Sequence, residues 1–258
     1  VAYSYVVKKD LIKEQEAKSY SCIENPLGFT AQQLRELQRC QDNENKNSAN
    51  AFNWAVYGLG EKAEKPHRIF HFEEIELSKY IEIKAPKYYG SDWGSVDPWA
   101  VGEAMYYDGA LYVREFNYEC ENAIKHRLTQ TERANIEGSD EGLVTWKFNQ
   151  WGVDRSRPVV CDRNRPLKII ALRSVGYDYA IGADKSPGSI KDGIDVLNSI
   201  KVYYTSDSPN IKYEQENYSR KVVNGVVMEE PEDINNHHMD WIRYVGLFLQ
   251  AEGIIQKV

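Results

Sequence analysis

The sequence predicts a mixed α/β sheet covered by helices, and three observations predict it. Residues 100–107 and 110–118 are rich in Val, Tyr and Phe and flank Asp108-Gly109, a pair that marks a tight hairpin because both turn residues need positive φ. From residue 158 to 205, short apolar runs alternate with helical patterns, as strands joined by crossover helices do. After Pro231 the pattern turns helical. A meander, then strand–helix alternation, then a closing helix together make one sheet with helices packed on it.

The first eighty residues read differently from the rest. Helical patterns cover 8–17 and 30–40, with Thr30 as N-cap and Gln33 three residues later, as in a capping box. Residues 41–51 (QDNENKNSANA) are polar and read as a loop or a frayed helix end. Phe52, Trp54, Val56 and Tyr57 follow, and Gly58-Leu59-Gly60 stops that element. This part carries no catalytic pattern and reads as a connector or the tail of a preceding domain. The expected division is therefore 1–80 and 81–258. Strand-like alternation begins at residue 87, and a polar helical section spans 120–152. A short buried strand at 158–162 precedes a helix at 166–175. A strand at 179–183, a helix at 189–199 and a strand at 200–205 follow. Val222-Val223-Asn224-Gly225-Val226-Val227 is a second hairpin signal. Pro231 and Asp233 open the final helix, with Asp233 as its N-cap.

A chain of 258 residues accommodates one large domain, or one domain and an appendage, with a substantial core. It has no apolar run of the roughly eighteen residues that a membrane span needs. Lys8, Lys9 and Asp10 interrupt the first apolar stretch, so no signal-peptide pattern opens the chain. Starting at Val1 in mid-pattern, it reads as a fragment of something longer. Cys22, Cys40, Cys120 and Cys161 are scattered without a CxxC pair, which argues against zinc and for reduced, intracellular thiols. The formal charge of −7 does not suggest a nucleic-acid binder. An acidic nuclease site reverses its local sign once metals bind, however, so the charge counts only slightly against a nuclease.

Asp92, Asp162 and Asp240 stand where the pattern changes. Asp92 precedes a hairpin-like stretch, Asp162 ends the run Pro158-Val159-Val160-Cys161, and Asp240 lies near the start of the last helix. Carboxylates at two strand ends and on a terminal helix can meet in space, and such a cluster suits a pair of hard divalent cations. Two ions about 4 Å apart clamp the attacking and leaving oxygens of a phosphodiester. The plainer alternatives are an Asx-turn for Asp92 and a helix N-cap for Asp162. Gly94, close to Asp92, lets phosphate approach the backbone. His237 and Asp240 are spaced i, i+3 and share a helix face, which Tyr244 extends. His237 can bind a metal, orient the carboxylate, or simply be solvated, as His238 is expected to be. Lys185 and Ser189, beside Gly188, suit phosphate contact at a helix N-terminus or are ordinary loop surface. Arg220 and Lys221 on the second hairpin either track a DNA backbone or guard a sheet edge.

These stretches resemble the nuclease domain of phage terminase large subunits, the DNA-packaging enzymes of tailed phages and prophages. The resemblance runs through Gly90-Ser91-Asp92-Trp93-Gly94 with Asp97-Pro98, through Val159-Val160-Cys161-Asp162, and through 236–244 (NHHMDWIRY). It includes Lys185 with 188–194 (GSIKDGI), and Asn224-Gly225 ahead of Glu230-Pro231. Glu24-Asn25-Pro26 and Tyr57-Gly58-Leu59-Gly60-Glu61 resemble the end of the family's packaging ATPase and its linker. No single piece is specific, whereas all of them in order are. The resemblance implies an RNase-H-like fold with a helical N-terminal linker segment, and Asp92, Asp162 and Asp240 as metal-binding carboxylates. His237 matches a histidine one turn before the last aspartate in many members. Trp241 departs from the small residues commoner there, which bears on helix packing rather than on chemistry. No GxxxxGK[ST] loop occurs, so ATP hydrolysis by that route belongs to a part that is not here.

The implied activity is cleavage of double-stranded concatemeric phage DNA with two Mg²⁺ or Mn²⁺ ions, in the bacterial host cytoplasm. The portal protein and the terminase small subunit are the implied partners, and no membrane is involved. The rival readings are another RNase-H-like nuclease, such as a junction resolvase or an integrase-like recombinase, and a docking module without catalysis.

Overall fold

The computed structural model describes residues 30–256 apart from 44, 46, 47, 61, 62, 137, 138, 224 and 225. The chain divides into two units, one of 1–68 with 219–228 and one of 69–218 with 229–258.

In the first unit, α1 (Ala31–Asp42) starts at the capping box expected of Thr30 and Gln33. The helix runs to Asp42 and the next begins at Ser48, so much of the polar stretch expected to be loop is helical. Helix α2 (Ser48–Asn53) continues into a π-helical turn, Trp54–Leu59, which Gly60 ends at φ 71°. The expected helix at 8–17, Cys22 and the 24–26 motif lie outside the described residues, as does the Asn224-Gly225 turn of the second hairpin. Its two arms are β8 (Arg220–Val223) and β9 (Val226–Pro231).

The second unit holds a seven-stranded sheet of order β1-β7-β4-β3-β2-β5-β6. The strands are β1 (Glu73–Ile75), β2 (Lys87–Asp92), β3 (Ala100–Tyr107), β4 (Ala110–Asn117), β5 (Val159–Cys161), β6 (Ala180–Gly182) and β7 (Lys201–Thr205). β2, β3 and β4 form the antiparallel meander, and β1, β5, β6 and β7 join in parallel. The meander turns at Asp108 (φ 48°) and Gly109 (φ 75°), the positive pair that this dipeptide tolerates. Two of the elements that went unread in the sequence lie near the start of this unit. β1 is only three residues long, and α3 (Leu77–Glu82) is a six-residue helix.

Side chains alternate across the sheet, so each face has its own core. On one face Ala100, Ala104 and Val113 pack against α8 (Ser189–Asn198), α9 (Pro209–Asn217) and α10 (His237–Ala251). On the other, Tyr89, Trp99 and Val101 pack under α4 (Glu121–Arg127), α6 (Asp140–Gln150) and α7 (Pro166–Ser174), and Ile136, just past α5 (Gln130–Asn135), joins them. The polar section thus breaks into three helices, with Cys120, Thr129 and Ser139 each capping one.

Helix α10 begins later than the sequence suggested. Asp233 does not cap it but accepts a hydrogen bond from Asn236 Nδ2 (3.1 Å). Asn236, at the N-cap position, makes no side-chain cap either. The cap comes from α9. The Glu214 carboxylate, fully buried, accepts the backbone N–H groups of His237 (3.1 Å), His238 (2.5 Å) and Met239 (3.4 Å) and the Tyr118 hydroxyl (2.6 Å). A carboxylate there satisfies donors that a helix start leaves open and complements the helix dipole. Replacing Glu214 by Ala is expected to cost about 2 kcal/mol in chemical denaturation. Asn236→Ala is expected to cost nothing measurable, and equal losses at both positions would contradict this assignment.

Candidate functional site

β2 and β5 lie side by side in parallel, with Ser91 opposite Cys161. Asp92 closes β2 and Asp162 follows β5, so both leave the sheet at adjacent carboxyl ends, the place where open α/β sheets bind ligands. The Asp162 N–H donates to the Ser91 carbonyl (2.8 Å), and Trp93 Nε1 donates to the Asp162 carbonyl (2.8 Å). Helix α10 brings the third carboxylate. Its residues His237, Asp240 and Tyr244 form one stripe at i, i+3 and i+7.

Two of those residues hold the Asp92 carboxylate. His237 Nδ1 lies 3.1 Å from one oxygen, and the Tyr244 hydroxyl donates to the other at 3.3 Å. Asp92 is 7% exposed. Burial raises its pKa; His237 opposes this, and the charges of Asp240 and Asp162 add to the rise. The same three carboxylates act on the buried Tyr244 hydroxyl, whose pKa burial raises first. Burial alone lowers the His237 pKa, but Asp92, Glu214 and Asp240 outweigh it and raise the pKa overall, which favours the imidazolium.

The other two carboxylates carry cations of the chain itself. Lys185 Nζ is 2.6 Å from Asp162 and sits over the Tyr244 ring. Arg243, buried, holds Asp240 at 2.6 Å. Among the described residues, no three His, Cys, Asp or Glu side chains stand together in ligating geometry.

The structure therefore pairs His237 with Asp92, Lys185 with Asp162 and Arg243 with Asp240, and the charges of Asp162 and Asp240 act on Asp92. Ser189 is buried at the start of α8, 6% exposed, rather than on the loop surface. Arg220 and Lys221 belong to β8 in the first unit. His238 is not solvated. It is fully buried, accepts the Trp241 indole N–H at 2.6 Å and stacks on Tyr118, and burial lowers its pKa to about 3. Gly94 serves its own loop, since a Cβ there would lie 2.1 Å from the Asp97 carbonyl oxygen. Arg243 was missed in the sequence although its i, i+3 spacing from Asp240 signals the pair. Glu214 had no local signal, because the N–H groups it caps lie 23 to 25 residues away.

The seven-stranded mixed sheet flanked by helices matches the RNase-H-like fold of terminase nuclease domains. The chain is similar to the g2p large-terminase nuclease domain of bacteriophage SPP1, solved with bound Mn. Identity is 23% and the TM-score 0.52, over 72% of this chain and 98% of that one. It is also similar to the large terminase of a thermophilic bacteriophage, at 20% identity and a TM-score of 0.52, over 89% of this chain and 55% of that one. The chain thus spans about half the length of that second protein. At these identities the likeness establishes the fold. No protein-family profile and no curated protein sequence matches the chain.

Proposed function

We propose that this chain is the nuclease part of a phage genome-packaging terminase and cuts double-stranded DNA with the help of divalent cations. Asp92 carries the reading. It is a buried carboxylate, held through both oxygens, whose charge is opposed by Asp162 and Asp240. Such an arrangement costs free energy unless positive charge is supplied. The donor set fits Mg²⁺ or Mn²⁺, since hard cations take carboxylate oxygens. The ammonium of Lys185 and the guanidinium of Arg243, each resting on one of the carboxylates, speak for the same demand for cations. In this reading Asp92, Asp162 and Asp240 would hold two ions. When bound, such ions lower the pKa of water and neutralise charge on the phosphate.

The chain's own residues do the rest. His237 and Tyr244 orient Asp92 before any ligand arrives, and the carboxylates around His237 raise its pKa. Arg243 is almost wholly buried and stays on Asp240 as an orienting contact. Lys185, 28% exposed, is the cation able to turn towards a DNA phosphate. Ser189 is too buried for that task. No described helix is long and apolar enough to cross a membrane. In the cell, the chain would act beside the portal protein and the small terminase subunit in the host cytoplasm.

The test is plasmid nicking with Mn²⁺. The wild-type chain is expected to convert supercoiled plasmid to nicked and linear forms, and Asp162→Ala to leave it supercoiled. Equal cutting by both, or cutting unaffected by EDTA, removes the proposal. Arg220 and Lys221 supply a second measurement. Replacing both by alanine is expected to flatten the salt dependence of DNA affinity by about one unit of log–log slope per lost phosphate contact. An unchanged slope returns the hairpin to an edge-protecting role.

A further inference from the structure

At the other end of β2 from Asp92 the sheet carries a second concave feature. Strand β2 begins at Lys87, five residues before Asp92, which places the two about 17 Å apart along an extended strand. Around Lys87 lies a half-open cavity of about 580 Å³, within the range of about 300–1,000 Å³ typical of small-molecule sites. Four cations line it, Lys84, Lys87, Arg114 and Arg157, against the single carboxylate of Glu103. In a chain whose formal charge is −7, this concentration of positive charge is local.

The floor of the cavity is polar and the wall is not. Glu103, 2% exposed, is paired with Lys87 at 2.7 Å. Beside it Tyr80 is also 2% exposed, with its hydroxyl buried against the Glu103 carboxylate. Ile81, Ile83, Pro86 and Met105 form the apolar side. Two of the rim cations are loosely held, whereas Arg114 is paired with Asp207 at 2.8 Å. Lys84 Nζ reaches only the Ile81 carbonyl (3.2 Å), and Arg157 lies 3.9 Å from Asp154, with both groups exposed.

We propose that this cavity binds a nucleoside phosphate. The phosphate would sit among Lys84, Arg157 and Arg114, where charge-assisted hydrogen bonds are strongest. The base would lie on the apolar wall. A ligand with a charged end and a flat apolar body uses every part of this lining, whereas inorganic phosphate uses only the rim. The site is separate from the three aspartates and draws on none of their side chains.

Calorimetry on the whole chain tests it, with ADP, dAMP, inorganic phosphate and a short DNA duplex as probes. Saturable one-to-one binding of ADP or dAMP is expected, with phosphate alone at least about ten-fold weaker. Reversing the rim charges in Lys84→Glu/Arg157→Glu is expected to weaken nucleotide binding about a hundred-fold. Both positions are exposed, so the melting temperature should hold. Three results would each overturn the proposal. They are no saturable binding at millimolar nucleotide, nucleotide binding indifferent to the rim reversal, and full displacement of ADP by the duplex, which would assign the rim to DNA.

Discussion

Gly90→Ala is expected to lower the stability of this protein by about 3 kcal/mol, the upper end of what overpacking a core usually costs. Gly90 and Gly102 are partners across β2 and β3, and together they leave a slot in the sheet that the indole of Trp241 fills. A Cβ on Gly90 would stand 2.4 Å from Trp241 Cε3, and one on Gly102 would stand 2.5 Å from Trp241 Cζ2. The indole has nowhere to go, since Trp241 is fully buried and its Nε1 is bound to His238 Nδ1. The two glycines differ in one respect that makes the idea testable. At Gly102 the Arg114 carbonyl oxygen also stands in the way, at 2.4 Å, and backbone cannot swing aside as a side chain can. In a double-mutant cycle with Trp241→Leu, Gly90→Ala should therefore be largely rescued, and Gly102→Ala much less so. Urea midpoints for the three single and two double variants measure this, and additive losses at Gly90 would show that the indole is not the obstacle. The bulky residue that departs from the resembled family is thus accommodated by two opposed glycines.

Asp92→Asn is expected to reduce Mn²⁺-dependent nicking by about three orders of magnitude, comparable to the loss of a main electrostatic contact in an enzyme site. The amide keeps the shape, so Tyr244 and His237 still find a partner, but it cannot supply the negative charge that cations require. Stability is expected to move the other way. Asp92 is a buried carboxylate whose ionised form is disfavoured by burial and by Asp240 and Asp162. Removing its charge relieves that repulsion, so the melting temperature of the metal-free protein should hold or rise. Loss of cutting with preserved or higher stability is the behaviour of a residue kept for its function. Loss of both together would instead make Asp92 a structural residue, and retained cutting would remove it from the site.

Local chemistry was legible in the sequence wherever neighbouring residues decide the conformation. The Asp108-Gly109 hairpin, the Thr30–Gln33 capping box, the strand–helix alternation from β5 to β7 and the shared face of His237 and Asp240 all depend on contacts within a few residues. Three-residue β1 and the short α9, marked only by Pro209 at its first turn, offered too little periodicity to register. What the tertiary structure decided is of another kind. The pairing of β2 with β5 places Asp92 beside Asp162. The α9 carboxylate of Glu214, and not Asp233, starts α10. The opposed glycines seat Trp241, and Lys185 and Arg243 come to rest on two of the acids. Most of these join segments dozens of residues apart, and such a contact is set by the register of strands and the packing of faces, to which spacing along the chain gives no direct clue.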